Sequence, residues 1–360
     1  MNNLAKTLSF SLLVISLITS NSSVANDHRI IGKHIFGLMV DVDNDPLIRN
    51  QRAEIHNQAS SSTEVAYDKA SFSVSVFNQP VGAVYLTKLD QDSGKEIKTQ
   101  PVDASGINGI SAPVGGLPTE WGSLIYSESA LVDAADPKSF VDKFKPYYKG
   151  DSKKVNPYEY GWPIELVVLN MNGENKLIKN YAMGRVAAEN LLVMPDNKTV
   201  WMLSGEKAGY LYVFIAEDSG NFSKGQLLVA NSDDHSVNFV QVANTSTLKA
   251  KFQLRRIKFD SLFQSGEFDG GVCDNGIQPV NTVYGMECLK VKNKRYSGLF
   301  EPHRFAALAG VKPQFNAVTK MTYKPDTNTL VLEKKSGDTI GFNLGSVGQF
   351  SSDYLIKEHL

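Results

Sequence analysis

The sequence predicts an all-β chain, and three observations carry that expectation. The first is composition: 18 Phe, 14 Tyr and 28 Gly in 360 residues favour strands and tight turns over a helical bundle. The second is a series of short runs with strand periodicity. The third is the turn chemistry between those runs. Ser71 to Phe77 alternates Phe72, Val74 and Val76 against Ser, the pattern of a half-buried strand. Val81 to Leu86 follows the turn signal Asn78-Gln79-Pro80, so the two runs are expected to pair as a hairpin. Ile164 to Leu169, Thr199 to Leu203, Tyr210 to Ala216, Gln226 to Ala230, Val237 to Val242, Thr329 to Leu332 and Thr339 to Phe342 continue the series. Asp196-Asn197, Ser204-Gly205, Asp326-Thr327-Asn328 and Ser336-Gly337-Asp338 supply turns. A sandwich, barrel or propeller would accommodate them. At this length a single β-propeller is the simplest one-domain solution, because blades add without enlarging one core. No clean internal repeat is visible. Helical signals are few. Asp136-Pro137 can cap and start a helix through Phe140, Val141 and Phe144, and Pro302 to Leu308 is a second, stopped by Gly310.

Apolar residues make up 42% and charged residues 21%, the balance of a chain with a packed core. Lys plus Arg total 37 and Asp plus Glu total 38, a net charge of -1. That balance argues against a strong electrostatic footprint for nucleic acid or anionic lipid.

Residues 1–25 read as a Sec-type signal peptide. Lys6 is the only charged side chain before Asp27, Leu8 to Ile18 is apolar except for Ser, and Ser23-Val24-Ala25 offers a cleavage site. The run is too short to span a membrane comfortably, so no stable membrane insertion is expected. The domain then covers 26–360, with a net charge of 36 − 38 = −2, in the periplasm or secreted. In an exported chain the two cysteines, Cys273 and Cys288, are expected to form a disulfide. The alternative, a metal or redox pair, lacks C-x-x-C spacing and an adjacent His.

Familiar site motifs fail. Asp41-Val42-Asp43-Asn44-Asp45 opens like a calcium loop, but the positions that need Gly and Glu hold Pro46 and Arg52, leaving a solvated acidic turn. There is no G-x-S-x-G elbow and no P-loop. The six His are scattered, and Asp233-Asp234-His235 reads as an exposed turn.

Four stretches carry a family resemblance. They are Glu120-Trp121-Gly122-Ser123 leading to Glu128; Asn156-Pro157-Tyr158-Glu159-Tyr160-Gly161; Tyr181-Ala182-Met183-Gly184-Arg185 with Glu189, Val193-Met194-Pro195-Asp196 and Gly209 to Phe214; and Arg304 to Gly310 with Met321-Thr322-Tyr323. In order and spacing they resemble the PhoX family of bacterial alkaline phosphatases, over roughly residues 115 to 332. The resemblance implies a six-bladed β-propeller with few short helices. It also implies an iron and calcium cluster, held by carboxylates, that clamps phosphate and activates an oxygen nucleophile.

The chain departs from that pattern where the chemistry would sit. The family's Glu pair falls at Glu128 and Ser129, and the Cys that some members place before it is Ser127. A His before Glu189 is replaced by Ala188. The family's Asp pair falls at Ser204 and Gly205, a later Glu-Gly at Thr319 and Lys320, and a basic phosphate ligand at Ala317. The resemblance therefore leaves Glu128 and Glu189, with Glu206 as a substitute ligand, for a single calcium; iron is not expected. Arg185 is the remaining candidate for an anion. The plain alternative makes Glu128 and Glu189 hydrogen-bonded structural residues and Arg185 the partner of a carboxylate. Two functions remain. One is a PhoX-like propeller with a depleted metal centre that acts by binding a protein or a small anion, as a monomer. The other is a calcium-dependent phosphoester hydrolase with an altered site.

Overall fold

The computed structural model describes residues 39–43, 45, 47–49, 52–53, 59, 61–232, 237–344 and 358–359. The segment 1–25 read as a signal peptide, Asp233 to His235, Asn44 and Pro46 lie outside the described residues. Five antiparallel sheets dominate, and all but the fourth are wound in chain order. A short ribbon, β1 (Ile48–Arg49) with β2 (Arg52–Ala53), precedes them. The first sheet is β3 (Ser61–Tyr67), β4 (Ala70–Phe77), β5 (Ala83–Leu89) and β6 (Glu96–Pro101). The second is β7 (Pro113–Pro118), β8 (Ser123–Glu128), β9 (Pro163–Val168) and β10 (Asn175–Lys179). The third is β11 (Asn190–Val193), β12 (Thr199–Leu203), β13 (Leu211–Asp218), β14 (Asn221–Ser232) and β15 (Val237–Ser246). The fourth pairs β16 (Phe263–Gly266) with β20 (Gly285–Val291) and β20 with β19 (Pro279–Thr282), beside a ribbon of β17 (Phe268–Asp269) and β18 (Val272–Cys273). The fifth is β21 (Val318–Lys324), β22 (Thr329–Lys334), β23 (Thr339–Asn343) and β24 (Glu358–His359).

The period-2 pattern explains how the sheets stack. In β12, Val200 and Met202 enter one core cluster while Trp201 and Leu203 enter another. In β13, Tyr212 and Phe214 take the first side and Leu211 and Val213 the second. β8 divides likewise, with Ile125 on the side of Trp162 and Leu124 and Tyr126 packed with Phe72, Val74 and Leu86 of the first sheet. The second and third sheets are thus buried on both faces, between the first sheet and the fifth. Opening strands lie side by side: β3 against β7, β7 against β11, β11 against β21. They are only partly buried, unlike the central β4, β8 and β12.

Helices are short: α1 (Lys138–Phe144), α2 (Gly205–Ala208), α3 (Thr247–Leu254), α4 (Phe259–Leu262), α5 (Lys294–Phe300) and α6 (Pro302–Leu308). The sequence announces α1 and α6 through Pro137 and Pro302. It also holds the caps of α3 and α5, where the Ser246 and Asn293 side chains accept from the backbone N–H of Lys249 and Tyr296. The expected hairpin is present, with Val76 opposite Val84. Cys273 and Cys288 form the expected disulfide, with Cα atoms 5.6 Å apart, and it ties β18 to β20. Such a loop contributes about 3 kcal/mol in the chain-entropy picture.

Candidate functional site

Each of the four stretches contributes to one buried network, through Glu128, Tyr160 and Gly161, Arg185, and Arg304. Glu128 ends β8, and its side chain is wholly buried. Its Oε1 accepts from the Ser111 backbone N–H at 2.9 Å. Its Oε2 accepts from the N–H groups of Gly161 at 3.0 Å and Trp162 at 3.1 Å. The ammonium of Lys179, the last residue of β10, lies 3.2 Å from Oε1, also with no exposed surface. Lys179 donates further to the Glu159 carbonyl at 2.6 Å and stands 4.7 Å from the centre of the Tyr160 ring. Burial pushes the Glu128 carboxyl above its usual range, and Lys179 and the backbone N–H groups draw it back towards the charged form.

Gly161 passes the network on. Its carbonyl accepts from the Ala187 N–H at 2.9 Å, and its Cα packs against the Arg185 side chain. Arg185 is a clamp. Nε donates to the Tyr160 carbonyl at 2.8 Å, one terminal nitrogen to the Val132 carbonyl at 2.6 Å, and the other to the Phe300 carbonyl at 3.1 Å and Glu301 Oε1 at 3.4 Å. Four donations occupy a group with five N–H bonds. Those donors face the protein, and one of their acceptors is the Glu301 carboxylate.

Glu301, just before α6, joins Arg185 to Arg304. Arg304 is wholly buried; it donates to Glu301 Oε2 at 2.9 Å, to Asp133 at 2.9 Å and to both oxygens of Glu287 at 2.8 to 3.1 Å. The Tyr284 ring lies 3.9 Å from its guanidinium carbon. Burial opposes the Arg304 charge, but the carboxylates of Glu301, Glu287 and Asp133 hold the guanidinium above its ordinary range. Burial pushes the Glu301 carboxyl up, and the two arginines draw it down. Beside Arg304, His303 sits between a Tyr212 hydroxyl 2.9 Å from Nδ1 and the Val186 carbonyl 2.9 Å from Nε2. A carbonyl only accepts, so Nε2 carries the proton and Nδ1 accepts from Tyr212. Burial holds the imidazole neutral, its pKa pushed down to about 3.

Glu189 lies elsewhere. It is exposed, its backbone N–H bonds the Leu203 carbonyl, and its carboxylate rests over the Cα of Gly205. Gly205 has a φ of 76°, and a side chain there would strike that carboxylate. Glu206 falls within α2. No hydrogen bond or shared partner joins Glu128 to Glu189 among the described residues. The substituted positions are locally satisfied. Ser129 donates to the Ala112 carbonyl at 2.9 Å, Ser204 exchanges bonds with the Tyr210 backbone at 2.8 and 3.0 Å, and Thr319 donates to the Glu333 carbonyl at 3.3 Å. Ala188 is fully buried.

These donors do not fit an iron and calcium cluster. Hard cations need several carboxylates with free oxygen lone pairs. Glu128 spends its lone pairs on three N–H groups and an ammonium. Glu301 faces two guanidiniums. Among the described residues no group of three or more His, Cys, Asp or Glu is placed to hold a metal. A second ammonium plays the same part at the acidic turn. Lys149 Nζ lies 2.6 Å from Asp43, 3.4 Å from Asp41 and 4.0 Å from Asp45, while Asp41 Oδ1 accepts from the N–H groups of Asp43 and Asp45. That turn is less solvated than the sequence suggests, because Asp41 itself is buried.

The residues that sequence reasoning missed are Lys179, Glu301, Asp133 and Glu287, and the roles of His303 and Arg304. Arg304 opens the fourth resembling stretch, a signal that was present. Lys179 had none, because a Lys closing a strand reads as solvated. One small cleft is lined by Val40, Gly82, Tyr85, Gly109, Ile110 and Tyr147.

No family model matches the chain, and no curated protein matches it. Among solved structures it is similar to a Bacteroides uniformis protein provisionally named a 6-phosphogluconolactonase, at 10% identity over 85% of each chain with a TM-score of 0.26. A likeness at that score says nothing of this chain's activity.

Proposed function

We propose that this chain is an exported, PhoX-like β-propeller that has exchanged its metal centre for side-chain cations and acts by binding rather than by catalysis. The observation that carries the reading is the ion pair of Glu128 with Lys179. At the position where the resemblance expects a metal-binding carboxylate, an ammonium supplies the positive charge. Series-packed sheets with adjoining opening strands support blades around an axis, and the convergence of the four stretches supports the resemblance. The disulfide is compatible with an oxidising compartment. No described helix is long and apolar enough to cross a membrane. The ligand remains a protein or a small anion, and calcium-dependent hydrolysis is the competing activity.

The deciding experiment combines metal analysis of the purified protein with hydrolysis of an aryl phosphate in added calcium and iron. The reading expects no stoichiometric metal and no turnover above buffer. Turnover that both Glu128→Gln and Glu189→Gln abolish, in variants that stay folded, would establish the hydrolase instead.

A further inference from the structure

Helix α3 presents a surface that the network above does not explain. Its inner face is committed: Ala250 and Leu254 are buried in the main core, and the Thr247 hydroxyl accepts from the Ala182 N–H at 3.3 Å. Its outer face carries two large apolar side chains one turn apart, Leu248 at 80% exposure and Phe252 at 60%. Around them stand Lys249, Lys251, Arg255, Arg256 and Lys258, all exposed. None of these five cations has an ion-pair partner among the described residues. No Asp or Glu occurs from residue 235 to residue 259. The Arg256 guanidinium carbon lies 4.6 Å from the centre of the Phe252 ring, so cation and apolar group are presented together.

The geometry points to a membrane-docking face: Leu248 and Phe252 enter the interface of an anionic bilayer while the five surrounding cations meet its headgroups. Protruding apolar residues on a helix with a basic border are the chemistry of interfacial attachment. A net charge near zero excludes a whole-molecule attraction to anionic lipid, but the attraction falls off within a Debye length, so a local patch suffices. An acidic protein groove would also accept the cations. The lipid surface is favoured because two side chains standing free of the surface on a convex helix suit a deformable layer better than a preformed pocket. The helix is held to the core from within, so attachment is peripheral and leaves the fold intact.

The test is cosedimentation of the full chain with vesicles of phosphatidylcholine, with or without about one third phosphatidylglycerol. Binding is expected with the anionic vesicles only, and it should weaken at high salt. Leu248→Ser with Phe252→Ser should reduce it about tenfold or more, as should Lys249→Glu with Arg255→Glu, without changing circular dichroism. Failure of the wild type to sediment with anionic vesicles overturns the proposal. So does equal binding to neutral vesicles, binding that both variant pairs leave unchanged, or retention on an acidic peptide matrix in place of vesicles.

Discussion

The Tyr212 hydroxyl donates to Nδ1 of His303 across 2.9 Å, a direction set by the Val186 carbonyl, which accepts from the proton-bearing Nε2 on the other side of the ring. Because the histidine is buried and neutral, its charging must accompany unfolding. The folded pKa is about 3, below the ordinary value of 6.5, so the stabilisation is complete above the ordinary value and lost as pH falls towards the folded one. In that window the unfolded chain binds one more proton, and stability should drop by about 1.4 kcal/mol per pH unit from this group. Urea unfolding at several pH values from neutral to mildly acid checks this. His303→Gln should remove that slope while lowering stability at neutral pH.

The Lys179 ammonium is covalently fixed, so its removal leaves Glu128 charged and unpaired in the core. Lys179→Met should cost about 3–5 kcal/mol. Lys179→Met combined with Glu128→Gln should recover much of that loss. A double-mutant cycle in denaturant measures the coupling, and strictly additive single losses would refute the pairing.

Arg304→Lys keeps a charge but cannot reach Glu287, Glu301 and Asp133 together. A loss of about 3 kcal/mol is expected, from leaving the buried Glu301 and the half-buried Glu287 and Asp133 short of partners. The variant should also open the joint between α6 and the fourth sheet, which limited proteolysis near Glu287 would reveal. A variant as stable and as protease-resistant as the wild type would sink this account.

Gly205→Asp restores an acid where the resemblance expects one, yet Gly205 has a positive φ and Glu189 lies against it. A loss of about 1–3 kcal/mol is expected, with no gain in calcium affinity by titration calorimetry. Adding Glu189→Ala should relieve part of the loss. If the double variant is no better than Gly205→Asp alone, the contact with Glu189 is not the cause.

Thiol labelling of the unfolded, unreduced protein should find no free cysteine. Reduction should cost about 3 kcal/mol. Two labelled thiols would end the disulfide assignment.

Central strands were legible and opening strands were not, for one physical reason. β12 and β13 bury both faces, so Thr199 to Leu203 and Tyr210 to Ala216 read as continuous apolar runs. β7, Pro113–Pro118, and β21, Val318–Lys324, are partly exposed and mix Gly, Lys and Thr, so no periodicity marks them. From β16 to β19 the strands around the disulfide are too short to show a pattern, and β20 mixes Gly, Glu and Lys with its apolar residues. At the candidate site, the depletion of ligands was visible residue by residue. The replacement charges were not: Lys179 meets Glu128, and Glu301 meets Arg185, only through chain reversals that spacing cannot reveal, although Glu301 and Arg304 stand three residues apart.

Lys149 carries a last consequence. Its ammonium stands among Asp41, Asp43 and Asp45 in the role a divalent ion fills in a loop of that composition. A cation tethered to the backbone cannot be stripped by a chelator, lost on dilution or outcompeted by a scavenger. The ion pairs that Lys149 makes with Asp41 and Asp43 should therefore persist in the presence of a chelator.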